Sequence, residues 1–164
     1  MSTIGDSERL DEGAQVITAC AFLYRLNDGY VEVFLPYRAA TKKFLPNVFE
    51  LPGGHIDFGE DIKAGLAREI REELHMEITI GDEFAAFTYT NQIKKSHSIE
   101  VVYFAQFVGD TTRIQLNPED HSHYVWVTEE ELPHLYTTQK ASEDHEALVI
   151  QKGFDILLGR KTLR

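Results

Sequence analysis

From about residue 14 onward the apolar positions fall into runs whose spacing separates strands from helices. Val16, Ile17, Ala19, Ala21, Phe22 and Leu23 are nearly continuous, which predicts a buried strand. Asn27-Asp28-Gly29 supplies residues that tolerate positive φ, and Tyr30 to Leu35 follows, so the pair reads as a hairpin. Ile62, Leu66, Ile70 and Leu74 recur every four positions, as in a helix with one face on a core. Ile78, Ile80, Phe84, Phe87 and Tyr89 suggest extended segments, and Ser98 to Val108 is strongly β-prone,. Between them Thr90 to His97 reads as an exposed loop. Asn117 to His123 reads as another, ahead of a short strand Tyr124 to Val127. Thr128 and Glu131 have the spacing of a helix cap,, so a short helix is expected there. Ser142 to Leu158 predicts a terminal helix packed on the sheet. Residues 1–12 read as a flexible acidic tail and residues 13–164 as one domain. Strands before and after a central helix, with a second helix at the end, predict an α/β fold whose sheet is covered on both faces.

The chemistry concentrates in Leu51-Pro52-Gly53-Gly54-His55-Ile56-Asp57-Phe58-Gly59-Glu60 and the helix that follows. There Glu69, Glu72 and Glu73 stand at i, i+3 and i+4. Carboxylates so spaced are surface neighbours and repel by a few tenths of a kcal/mol per pair. A compensating cation is therefore expected, and Mg²⁺ is suited to a few carboxylates whose shell is completed by waters and substrate phosphates. Gly53 and Gly54 allow the backbone to approach an ion closely. Arg38, Lys42 and Lys43 form a basic segment in an otherwise acidic chain and are candidates to meet phosphates. His121 and His123 lack cysteine partners and read as solvated loop residues rather than zinc ligands.

The stretch from Gly54 to Met76 resembles the Nudix box, G-x5-E-x7-R-E-U-x-E-E-x-G-U with U aliphatic. Gly54, Glu60, Arg68-Glu69-Ile70, Glu72-Glu73 and Met76 fall on its positions. The departure is His75, where the pattern has a glycine that ends the helix in the left-handed conformation, one that histidine tolerates better than most side chains. The resemblance, to MutT-like Nudix hydrolases, implies an α/β/α sandwich around a mixed sheet. It implies attack by water on a phosphorus of a nucleoside diphosphate linked to another group, with Mg²⁺ or Mn²⁺ as cofactor. Carried over by position, Glu69, Glu72 and Glu73 become metal ligands or base, the Gly54 carbonyl a further ligand, Arg68 the residue that orients a box glutamate, and Glu60 a stabiliser of the box. Members of the family take the base either from the box, the choice favoured here, or from a loop acid, for which Glu119 and Asp120 stand ahead of Trp126. Two other readings are a nucleotide-sensing domain without catalysis and an isopentenyl-diphosphate isomerase-like enzyme. The first fits poorly with retention of every box acid, and the second with Cys20 in a core strand.

Composition narrows the partners. With 16 basic and 27 acidic residues the net charge is −11, which opposes nonspecific binding to nucleic acid or anionic membranes. The expected partner is a small nucleotide-type molecule, with no nucleic acid and no membrane, and a homodimer is left open. Cys20 is the only cysteine, so no internal disulfide forms, and core packing is its expected role. Met1 to Glu12 has no basic-then-apolar pattern, and a cytoplasmic location is the expectation. Which nucleotide derivative is the substrate, the residues do not say.

Overall fold

In the computed structural model, which describes residues 13–136 and 145–160, the apolar run becomes the central strand β1 (Gln15–Asn27). Its composition follows from its place. Ala19, Ala21 and Leu23 pack with Leu66, Ile70 and Leu74 of helix α1 (Ile62–Leu74). Cys20 and Phe22 pack on the opposite face with Ala147, Val149, Ile150 and Phe154 of α3 (His145–Leu157). A strand buried on both faces has no solvent side on which polar residues would alternate, and the sandwich expected from the sequence is the one observed.

Five further strands complete a mixed sheet: β2 (Tyr30–Arg38), β3 (Gly53–His55), β4 (Ile78–Asn91), β5 (Ser96–Phe107) and β6 (His121–Thr128). The order is β4-β5-β1-β2-β6, and β3 adds a short pairing to β1. β1 and β5 are parallel, from Gln15 opposite His97 to Leu23 opposite Ala105. The other pairings are antiparallel. The β1–β2 hairpin turns on Asp28 and Gly29, with φ of 51° and 81°, between the paired residues Asn27 and Tyr30. Two successive positive φ values match the right-handed strand twist, which is why Asp-Gly stands there.

Three details depart from the sequence expectations. The loop expected over Thr90 to His97 contracts to a turn at 92–95, because Asn91 pairs with Ser96 and both are buried. The Asn91 carboxamide oxygen accepts from the Ile93 and Lys94 amides at 3.0 and 3.1 Å, so a side chain satisfies the turn that water would otherwise solvate. The last β-strand begins at His121 rather than Tyr124. His121 is buried, with Nε2 2.8 Å from a Glu50 oxygen, so it is not the solvated residue expected, whereas His123 stays exposed and stacks on Tyr37 with ring centroids 4.5 Å apart. Thr128 makes no backbone cap. Its hydroxyl meets the Glu131 carboxylate at 3.0 Å, and a 3-10 turn (Glu129–Glu131) leads into the short helix α2 (Leu132–Leu135). The expected tail at 1–12 and the start of the last helix at Ser142 lie outside the described residues. Among those residues no helix is long and apolar enough to cross a membrane.

Helix α1 ends as the box pattern requires. His75 has φ 57° and ψ 35°, and its amide donates to the Arg71 carbonyl at 3.0 Å. The imidazole adds a contact that glycine cannot make, Nδ1 lying 2.8 Å from the Gln115 carbonyl oxygen. Strain of roughly 1–2 kcal/mol for a side chain in this conformation is therefore set against one hydrogen bond of about 1 kcal/mol. In calorimetric melts His75→Gly should stay within about 1 kcal/mol of the parent, while His75→Ala, which keeps the strain and loses the bond, should fall about 1 kcal/mol below His75→Gly. Equal melting of the two variants would mean that the left-handed cap is unstrained.

Candidate active site

Arg68 assembles the site. Its Nε and Nη2 donate to the two oxygens of Glu60 at 2.8 and 3.0 Å, Nη2 also to the His55 carbonyl at 3.0 Å, and Nη1 to Glu69 at 3.0 Å and Glu72 at 3.3 Å. A planar guanidinium with its donors in a fixed fork can satisfy several acceptors at once. The result ties the loop after β3 to the second and third turns of α1. The helix start is fixed separately by Asp61, whose carboxylate accepts from the Ala64 amide at 3.0 Å, as an N-cap does. The hydrogen bonds from Arg68 hold the Glu60 carboxyl down to about 2.

The two box glycines allow this approach. At Gly53, φ is 155° and a Cβ would overlap the Ala19 carbonyl of β1. At Gly54 a Cβ would stand 2.5 Å from the Glu69 carboxylate, so the absence of a side chain is what lets backbone and carboxylate meet.

Around this contact the acids are held under electrostatic stress. Burial pushes the Glu69 carboxyl up to about 7 against the opposing pull of Arg68, with the charges of Glu72 and Asp120 adding to the rise. Burial also raises Glu73 well above the carboxylate range, helped by Glu50, Glu69 and Asp120, and its buried Oε2 has no hydrogen-bond partner. An uncompensated buried carboxylate oxygen is costly, and a divalent cation at this point would relieve it. In their present rotamers no three described acids, histidines or cysteines converge as a closed ligand set.

These residues border a cleft of about 1540 Å³, which also takes in Arg38, Lys42, Lys43, Gly54 and Asp120. Arg38 is committed to the chain itself. Its guanidinium donates to the Leu45 and Phe44 carbonyls at 2.9 and 2.8 Å and to Glu50 at 3.1 Å, and so shapes the loop between β2 and β3. Lys42 lies 2.7 Å from Asp120. Glu119 is exposed and does not border the cleft. Sequence reasoning missed Glu50, which joins Arg38 to His121, and Glu100, which borders the cleft from the middle of β5. The available signal for Glu100 was a lone acid inside an apolar strand. Cys20 is sealed in β1, and burial together with the Glu100 charge raises its thiol well above the usual range, a setting that keeps a cysteine inert.

Comparison with known proteins shows what the chain resembles. The model of the NUDIX domain matches residues 15–149. A nucleoside triphosphatase NudI of Escherichia coli O139:H28 (strain E24377A / ETEC) is 29% identical over 116 residues, covering 66% of this chain and 79% of that protein. The crystal structure of a MutT protein from Methanosarcina mazei Go1 superposes with a TM-score of 0.70 at 23% identity, covering 91% of this chain and 99% of that one. A C. elegans Ap4A hydrolase binary complex gives 0.67 at 21% identity, covering 88% and 98%.

The stressed acids make metal-free stability depend on pH. Because the folded Glu69 carboxyl titrates near 7, above its ordinary 4.5, its contribution is complete below the unfolded value and is lost as pH rises through 7. Glu73 shifts in the same direction. Glu60, held near 2, has the opposite sign, its stabilisation being present above 4.5 and lost as pH falls toward 2. Melts in chelator should therefore show the parent losing stability relative to Glu69→Gln between pH 5 and pH 8, expected as a growing gap of about 1 kcal/mol or more. A gap that does not change with pH would show that Glu69 is not stressed by burial.

Proposed function

The chain belongs to the Nudix hydrolase family, and from that premise we propose that it hydrolyses a phosphoanhydride bond in a nucleoside diphosphate linked to another group, with Mg²⁺ or Mn²⁺ held by Glu69, Glu72, Glu73 and the Gly54 carbonyl. The observation that carries this reading is the buried, unpartnered Glu73 oxygen in the same cleft as Glu69 and Gly54, an excess of negative charge that a cation would neutralise. When bound, the cation supplies charge neutralisation at the phosphoanhydride and a more acidic water.

The chain's own residues do the remainder. Arg68 holds Glu69 and Glu72 in place while keeping Glu60 ionised. A box glutamate accepts the proton of the attacking water, and Glu69 and Glu72 are the candidates. Asp120 is a second candidate base, because it borders the cleft with its charge turned toward Glu69 and Glu73. Lys42, which pairs with Asp120, and Lys43 border the cleft and are the candidates to meet phosphate oxygens, whereas Arg38 acts through the loop that carries them. The substrate is a small nucleotide-type molecule. The activities for which the similar proteins are named, nucleoside triphosphatase and Ap4A hydrolase, support this class. A sensing role without hydrolysis is less well supported, since Glu60, Arg68, Glu69, Glu72 and Glu73 are all present and already joined or adjacent.

Turnover of a panel of nucleoside triphosphates, dinucleoside polyphosphates, sugar nucleotides, NADH and ADP-ribose should require Mg²⁺ or Mn²⁺ and stop in excess EDTA. Full turnover in EDTA would sink the metal assignment. Glu72→Gln should keep the melting temperature and lower kcat by about 100-fold, the scale for removing one electrostatic contact to the reacting centre. A parental rate on every accepted substrate would remove Glu72 from the site.

A further inference from the structure

The cleft has a second end that phosphate chemistry leaves unused. On the face of the sheet turned toward α3, Thr18 of β1 pairs with Glu100 of β5, which pairs in turn with Phe87 of β4. In the adjacent row Ser98 pairs with Tyr89. Thr18, Glu100, Phe87 and Tyr89 border the same cleft as the box glutamates. Phe44, on the loop shaped by Arg38, faces Tyr89 with its ring nearly parallel, at 13° and a centroid distance of 6.2 Å. His55 of β3 stands opposite Thr18, so Glu100 lies two strands from β3, roughly 10 Å at the usual strand spacing. That separation leaves room for a sugar and phosphates between Glu100 and Gly54.

A carboxyl in the middle of a core strand is costly unless something uses it. Thr18 donates its hydroxyl to Glu100, and the Cys20 thiol also hydrogen-bonds to it. The charged neighbour acting on it is an acid, Glu50, and Glu146 of α3 and the Tyr89 hydroxyl lie in the same surroundings. Burial, reinforced by Glu50, pushes the Glu100 carboxyl up to about 8. At neutral pH it therefore presents an O–H donor beside a carbonyl acceptor. Adjacent donor and acceptor atoms are what the edge of a nucleobase offers in return, and flat aromatic rings beside it supply stacking surfaces of the kind that hold bases.

We infer that Glu100 reads the base of the substrate, hydrogen-bonding its edge while the base face lies against Tyr89 and Phe44. This rests on the nucleotide hydrolysis proposed above and assigns that same cleft its specificity-determining residue. Binding the base here places the phosphates at the Gly54 end.

Steady-state kinetics with Mg²⁺ on ATP, GTP, CTP and UTP tests it. Glu100→Leu should raise KM for the preferred nucleotide about tenfold or more and compress the differences between bases, with kcat changed less than about threefold. Glu100→Gln, which keeps a neutral donor beside an acceptor, should stay within about threefold of the parent. Phe44→Ala should raise KM about tenfold for all four, because stacking is tolerant of base identity. Should Glu100→Leu fail to fold, the pH profile decides. KM for ATP or CTP should rise between pH 7 and pH 9 in the parent, as Glu100 loses its donor, and not in Glu100→Gln. An unchanged base ranking in Glu100→Leu, or coincident pH profiles for parent and Glu100→Gln, would overturn the assignment. If no nucleotide is hydrolysed with either metal, the hydrolase reading fails instead. Calorimetric binding of the four nucleoside monophosphates then judges Glu100, with parental affinities in Glu100→Leu and Phe44→Ala alike counting against it.

Discussion

The site depends first on the guanidinium of Arg68. One side chain gathers Glu60, Glu69, Glu72 and the His55 carbonyl, and it thereby sets the angle at which the glycine loop meets α1. Hydrogen bonds to charged groups contribute roughly 1.5–3 kcal/mol each when partly shielded, so the set outweighs the repulsion among the acids. Without that clamp, Glu69 and Glu72 would be left to their mutual repulsion and would swing toward solvent. With it, one of them is pressed against Gly54, where no side chain intervenes.

A second constraint follows from where the helix lies. α1 buries Leu66, Ile70 and Leu74 completely, and the same packing carries Glu73 and Glu69 partway under the protein surface. Hydrophobic burial is thus what desolvates the acids. In its metal-free form the fold carries an electrostatic cost at these acids, which the cation proposed above would relieve,. The cleft extends from these acids across the sheet face to Glu100, a third carboxyl displaced by burial. In the readings proposed above the raised acids at the two ends differ in use: Glu69 and Glu73 would hold a cation, whereas Glu100 would stay neutral and donate a hydrogen bond.

Much of this architecture is written in local pattern. The continuous apolar run of β1, the Asp-Gly turn, the four-residue repeat of α1 and the box spacing from Gly54 to Met76 are features in which each residue's environment depends on neighbours a few positions away. The left-handed conformation at His75 belongs with them, since the box pattern marks the position and the helix geometry demands the turn. The identity of the fold followed from these short-range regularities, because a strand's two faces and a helix's stripe are repeated along the chain itself.

What only the tertiary structure decided involves pairs far apart in sequence. His121 is buried because Glu50, 71 residues away, offers it a carboxylate. Glu100 faces the cleft because parallel pairing brings it beside Thr18, 82 residues away. Arg38, a plausible phosphate ligand on charge alone, has its donors taken by the loop that folds over it. The acids of α1 could be counted along the helix, but whether each is solvated or desolvated depends on what packs above it. Periodicity specifies which face a residue occupies, whereas burial, and with it the protonation and partners of a polar group, is set by chain segments that meet only when the sheet closes.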